Sequence, residues 1–222
     1  MPRLFERRAE HWCVVALLSW CAACSEGGTR TQPEAVVAPA KSSNLSNIEP
    51  PVTKGRSYSF SSGDSAITFV AAKVTRSHQG SFGAFHGTVD VVSAQPEQSS
   101  VRVEIEMASI QTDEDQLTGH LKKPDLLDVA KYPKASFVST SITKAPSGPR
   151  SHLVTGDFEL HGVRKSIQFP ADIRITEGGV EADGDFTFKR QDFGITYPGM
   201  PDDLIKDDVV IKLKVRAKPD AA

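Results

Sequence analysis

Val101-Arg102-Val103-Glu104-Ile105-Glu106-Met107 alternates apolar and charged residues without a break. In an extended chain successive side chains point to opposite faces. This stretch therefore puts Val103 and Ile105 on a dry face and Arg102, Glu104 and Glu106 on a wet one. The period returns at 180–188, where Val180, Ala182, Phe186 and Phe188 oppose Glu181, Asp183, Asp185 and Thr187. It returns again at 209–217, where Ile211, Leu213 and Val215 oppose Lys212, Lys214 and Arg216. A sheet wet on one face and dry on the other is an antiparallel sheet.

Weaker alternation at 66–74, 82–92, 135–142, 152–160 and 165–175 brings the series to eight strands. Turn signals separate them: Gln79-Gly80, Gln95-Pro96, Pro146-Ser147-Gly148-Pro149, His161-Gly162 and Glu177-Gly178-Gly179. Eight strands with mostly short connections read as an all-β meander, and closing it into an antiparallel β-barrel removes the exposed edges. Two connections are longer. Between the third and fourth strands, Thr112-Asp113-Glu114-Asp115 reads as a capping box with Thr112 as N-cap, opening a short helical insertion. Leu117 and Leu121 then share a helical face. Pro124 reads as the first-turn proline of a second short helical turn over 125–129. The stretch 189–208, rich in Asp, Pro and Gly, reads as a loop with one helical turn.

The inward face chosen from the alternation is Phe69, Phe82, Phe85, Val103, Ile105, Phe137, Phe158, Phe186 and Phe188. Eleven phenylalanines against three tyrosines make such a lining dry. An eight-stranded barrel is just wide enough for its side chains to fill, or for one slender ligand. Alternation by itself therefore fits a solid core as well as a lumen.

The N-terminus reads as an address. Arg3, Arg7 and Arg8 precede an apolar run over 12–23 that is too short to span a bilayer but suits a signal-peptide core. It ends in Cys21-Ala22-Ala23-Cys24, small residues before a cysteine, similar to a bacterial lipobox with Cys21 where leucine is usual. Residues 1–23 are thus expected to be a signal peptide and Cys24 the lipidated residue, a membrane anchor. Residues 24–56, with Pro33, Pro39, Pro50 and Pro51 among small polar residues, read as a disordered tether. The folded domain is expected over 57–219.

Composition narrows the function classes. All three cysteines lie in the first 24 residues, so the domain has no disulfide, thiolate metal site or thiol nucleophile. A formal charge of −2 without basic clusters argues against a nucleic-acid partner. His78, His86, His120, His152 and His161 show no metal-ligand spacing. No nucleophile elbow, serine triad or phosphate loop is present, so neither catalytic residues nor a cofactor are assigned. Arg190 and Asp192 are expected to form an ion pair shaping their loop.

Several stretches, in order, resemble the YceI-like family: AITFVAAK (66–73), GSFGAFHG (80–87), ASIQT (108–112), GHLKKPDLLDVAKYPKASF (119–137), VTGDFELHGVRK (154–165) and RQDFGI (190–195). The chain departs from the family pattern at Leu117-Thr118, where Arg-Asp is common, and at Leu126-Leu127, where two phenylalanines are common. The resemblance implies a lipocalin-like barrel, exported to the bacterial cell envelope and facing the periplasm. It implies a long-chain isoprenoid or similar amphiphilic lipid as partner, bound in the lumen, and no enzymatic reaction. On that reading Leu117, His120, Leu121, Leu126 and Leu127 join the inward set at the barrel mouth, with His120 meeting a headgroup or holding a lid. The alternative is a structural or stress-response envelope lipoprotein with a filled core. A homodimer is left open.

Overall fold

The structure is a computed structural model that describes residues 33–39 and 55–220. The expected signal peptide, Cys24 and most of the expected tether lie outside the described residues. A short strand β1 (Val36–Pro39) precedes eight wall strands. The first is bent, β2 (Arg56–Ser61) leading into β3 (Ala66–Lys73). The second is the bent pair β4 (Ser77–Phe82) and β5 (Phe85–Val91), and the third is β6 (Ser99–Glu106) with β7 (Ile110–Thr112). Helix α1 (Asp115–Leu121) follows, then β8 (Lys134–Lys144), β9 (His152–Leu160), β10 (Val163–Thr176) and β11 (Gly179–Lys189). A two-residue rim strand β12 (Gly199–Met200) precedes β13 (Asp203–Pro219). All wall strands pair antiparallel, and β13 closes the ring between β11 on one side and β2 and β3 on the other. The expected eight-stranded antiparallel barrel with one helix between the third and fourth strands is the observed fold.

Aromatic rings cover glycines on the neighbouring wall strands. Phe60 lies directly opposite Gly87, and Phe69 opposite Gly80. A Cβ on either glycine would stand 2.3 Å from the facing ring. Each phenylalanine thus covers bare backbone on its neighbour strand, a known way of pinning register where a sheet curves.

Some local expectations need correction. Arg56–Ser61 forms a strand that the series of eight began too late to include. Thr112 is not a cap: pairing with Gly80 holds it in β7, and Glu114 stands at the N-cap without a side-chain bond. The Thr112 hydroxyl donates instead to the Glu114 carbonyl at 2.8 Å, and the Thr118 hydroxyl accepts from the Thr112 N–H at 2.9 Å. The second helical turn does not form. Pro124 and its neighbours make turns, and Asp128, at φ 42°, sits in the left-handed region that ends a helix. The one-turn expectation for 189–208 matches the 3₁₀ turn Arg190–Phe193, but β13 begins at Asp203, inside the expected loop. Arg190 does not pair with Asp192. Its guanidinium donates to the carbonyls of Ile195, Ile205 and Lys206.

The stretch read as tether also contributes structure. β1 pairs antiparallel with β10 from Val36↔Gln168 to Pro39↔Lys165, and Ala35 is buried. Proline and small residues argue against a packed core of the segment's own, but not against adding a strand to an edge that another part of the chain leaves free.

Candidate functional site

The end of the barrel that carries α1 is hereafter the upper end. The lower half is solid: Tyr58, Phe60, Val89, Val91, Ile142, Val154, Ala171, Val180 and Ala217 are all buried in one core. Above them the interior opens into a cavity of about 390 Å³. Its floor is aromatic. Phe169 and Phe186 stack with centroids 4.5 Å apart, and Phe137 leans on Phe169 at 5.6 Å. Phe158 and Phe188, 6.0 Å apart edge to face, form part of the wall. Ile67, Ile167, Ile211 and Leu213 complete a hydrocarbon surface.

The lid is built from α1 and the turns after it. Leu117, Leu121, Leu126 and Leu127 all face the cavity, and Leu126 is only 4% exposed. Hydrogen bonds fold the segment back on itself, Leu127 N–H to the Leu121 carbonyl at 3.1 Å and Asp128 N–H to the Lys123 carbonyl at 2.9 Å. His120 lies at the lid's edge with Nε2 2.9 Å from Asp125 Oδ2 and its ring 5.2 Å, edge to face, from Tyr197. The hydrogen bond from His120 holds the Asp125 carboxyl below its ordinary pKa. His120 thus ties α1 to the following turn while also facing the cavity.

The polar groups at the wall are held internally. Arg190 is 5% exposed, and burial draws its pKa below the usual arginine value. Three backbone carbonyls of the connection before and within β13 absorb its donors. His78 pairs with Asp113 at 3.0 Å. His161, at φ 53° in the β9–β10 turn, approaches the Phe193 carbonyl at 3.2 Å and meets the Tyr132 ring edge to face. Among the described residues no three His, Cys, Asp or Glu side chains converge as a metal site, and no helix is long and apolar enough to cross a membrane.

Of the residues chosen from sequence, Phe69, Phe82, Val103, Ile105, Leu117, His120, Leu121, Leu126, Leu127, Phe137, Phe158, Phe186 and Phe188 all line this one cavity. Phe85 does not. It is buried in the hydrophobic core at the start of β5, opposite Ile105, but does not reach the cavity surface. Ile211 and Leu213, which the alternation places on the dry face of 209–217 but which lie outside the chosen inward set, also line the cavity, as do Phe169 and Ile167, which the same period-two pattern could have supplied. Tyr197, in an irregular connection, and Met200, in the two-residue strand β12, carry no such signal.

An eight-stranded antiparallel barrel with one closed half and one hollow, apolar half defines a lipocalin-like container. The YceI-like domain family profile matches residues 58–217, and the chain belongs to that family. A UPF0312 protein of Pseudomonas syringae pv. tomato is 37% identical over 139 residues, covering 60% of this chain and 71% of the relative. Among solved structures, BcnA of Burkholderia cenocepacia superposes with TM-score 0.60 at 24% identity, over 70% of this chain and 97% of BcnA. A polyisoprenoid binding domain from Saccharophagus degradans superposes with TM-score 0.59 at 16% identity, over 75% of this chain and 99% of that domain.

Proposed function

We propose that the upper half of the barrel holds the long apolar chain of an isoprenoid-type lipid at the bacterial cell envelope, without chemistry, the headgroup remaining at the mouth near His120. The observation that carries this reading is the cavity. A void of about 390 Å³ lined by Phe, Ile, Leu and Val is costly to leave empty. Apolar surface of this extent left facing water is unfavourable in proportion to its area, and a hydrocarbon chain laid against it removes that cost. A barrel selected only to be solid would fill both halves, as this one fills its lower half. Filling with hydrocarbon returns ~0.8 kcal/mol per CH₂ removed from water. The likeness to a domain described as polyisoprenoid binding supports an isoprenoid in particular. The described residues that face the cavity are apolar apart from Lys73, His78, His120, Arg190 and Tyr197, which suits an apolar chain.

The test is native mass spectrometry of protein purified gently from its own envelope. The expected result is a stoichiometric adduct whose extracted lipid is a long-chain isoprenoid. Protein that carries no lipid, and whose melting temperature does not rise with added long-chain isoprenoids, would overturn the reading.

A further inference from the structure

The wall of the cavity is not continuous between β10 and β11. These strands pair only from Ala171↔Gly184 to Thr176↔Gly179. Above that point they part, leaving Val163–Pro170 of one strand and Asp185–Lys189 of the other with no pairing to each other. Side chains close both ends of this slot. At its lower vertex Arg150 donates to Asp172 of β10 at 2.8 Å and also to Asp185 of β11. At its upper end His161, in the turn before β10, meets the Phe193 carbonyl just beyond β11.

Residues 33–39 occupy the slot. On one side β1 pairs with β10. On the other, Ala35 N–H donates to the Thr187 carbonyl at 2.6 Å and Thr187 N–H to the Pro33 carbonyl at 2.9 Å. Ala35 is buried and Val37 packs against the core, whereas Val36, at 65% exposed, faces out. The wall residues flanking the slot, Ile167 and Phe169 on β10 and Phe186 and Phe188 on β11, all line the cavity. Residues 33–39 do not line the cavity themselves; they lie behind these four side chains as the described backbone that fills the gap between β10 and β11. The segment's own hold is slight. It presents one alanine and one valine inward, and it runs between Pro33 and Pro39, neither of which can donate a backbone bond. Glu34 adds one exposed ion pair with Lys189 at 3.3 Å. Segments with few buried apolar contacts open at far lower cost than a barrel strand paired along its length.

We propose that residues 33–39 form a displaceable wall strand sealing a lateral slot between β10 and β11, and that the apolar chain of the bound lipid passes through this slot into the cavity. The proposal rests on the lipid-binding reading of the same cavity. A lateral slot lets a chain slide in side-on, without a methyl terminus first threading past the leucine lid.

Ala38 and Ser166 are register partners, and Ala38 is exposed. Antiparallel partners stand ~4.5–5.5 Å apart at Cα, which suits a disulfide. The test uses the full chain with Cys13, Cys21 and Cys24 replaced by serine, carrying Ala38→Cys and Ser166→Cys, and follows uptake and release of a fluorescent long-chain polyene alcohol. Oxidation is expected to slow uptake at least tenfold, with recovery on reduction. In a second variant, Ala35→Asp with Val37→Asp, release is expected to accelerate at least tenfold, with cooperative melting of the barrel retained. Unchanged rates in the oxidised cross-linked protein would overturn the slot while leaving lipid binding in place. Failure of the uncross-linked protein to take up the alcohol would overturn the binding reading, and the slot with it.

Discussion

His120 carries a role that spacing alone could not assign, because its partners lie off the helix, Asp125 on the following turn and Tyr197 in the irregular connection before β12. The pair with Asp125 gives the lid an acid limb. A carboxyl whose folded pKa is depressed contributes stability that is fully present above its unfolded value of about 3.9. That contribution is lost as pH falls through the folded value. Acidification below about pH 4 should therefore loosen the lid and speed ligand release. Asp125→Asn should remove this acid limb and raise release at neutral pH, which stopped-flow displacement at graded pH would measure; an unchanged acid limb in the variant would refute the assignment. Arg190 makes a second claim of the same kind. Arg190→Met strips donors from the carbonyls of Ile195, Ile205 and Lys206. Hydrogen bonds to a charged group are worth about 1.5–3 kcal/mol, so the variant should lose about 2–3 kcal/mol in denaturant unfolding. A loss below 1 kcal/mol, on the order of an ordinary surface change, would mean that the network is not a determinant of the rim.

Strands and their pairing were the most legible feature of the sequence, and the reason is physical. Wherever a wall strand separates water from hydrocarbon, burial forces alternation, as at 101–107. The signal weakens where the polar face is serine instead of charge: in Arg-Ser-Tyr-Ser-Phe-Ser, Tyr58 and Phe60 are both buried, yet serine gives too little contrast for the stretch to stand out as a strand. It fails where tertiary contacts decide. Nothing local to 33–39 announces a strand, because the free edges it joins belong to β10 and β11. The capping box at Thr112 failed for a related reason, since a strand partner claimed the residue first. The lumen was readable by side-chain type, but the division into a solid and a hollow half was not. That division depends on which inward rings meet at the Phe169–Phe186 floor. The glycine–phenylalanine pairs can be tested directly. A Cβ on Gly87 would meet Phe60 Cζ at 2.3 Å and the Arg102 carbonyl at 2.5 Å. Gly87→Ala should cost about 1–3 kcal/mol, as overpacking does. Thermal melting would show it, and a variant as stable as the parent would mean that the strand relaxes there freely.

Across the whole barrel, two properties are combined that a solid β-domain would not need together: a lower half rigid enough to fold as one core, and an upper half left hollow. The family membership accounts for the architecture. The N-terminal expectation belongs to the protein's placement and not to its fold. Cys24→Ser should move the protein from the membrane to the soluble fraction, and acyl mass on the mature wild-type N-terminus should disappear with it; a mutant that still sediments with membranes would contradict the anchor.

On the proposed reading the hollow half is a bounded space for a hydrocarbon chain, ending below at Phe169 and Phe186. Titration calorimetry with isoprenoid alcohols of increasing length tests it most directly. Affinity should rise by about 0.8 kcal/mol, close to fourfold, for each CH₂ equivalent buried, and then level off once the chain reaches the floor. In Phe186→Ala the plateau should move to longer chains. An affinity independent of length, or one that climbs without a plateau and ignores Phe186→Ala, would contradict a bounded cavity and return the barrel to a surface that merely adsorbs lipid.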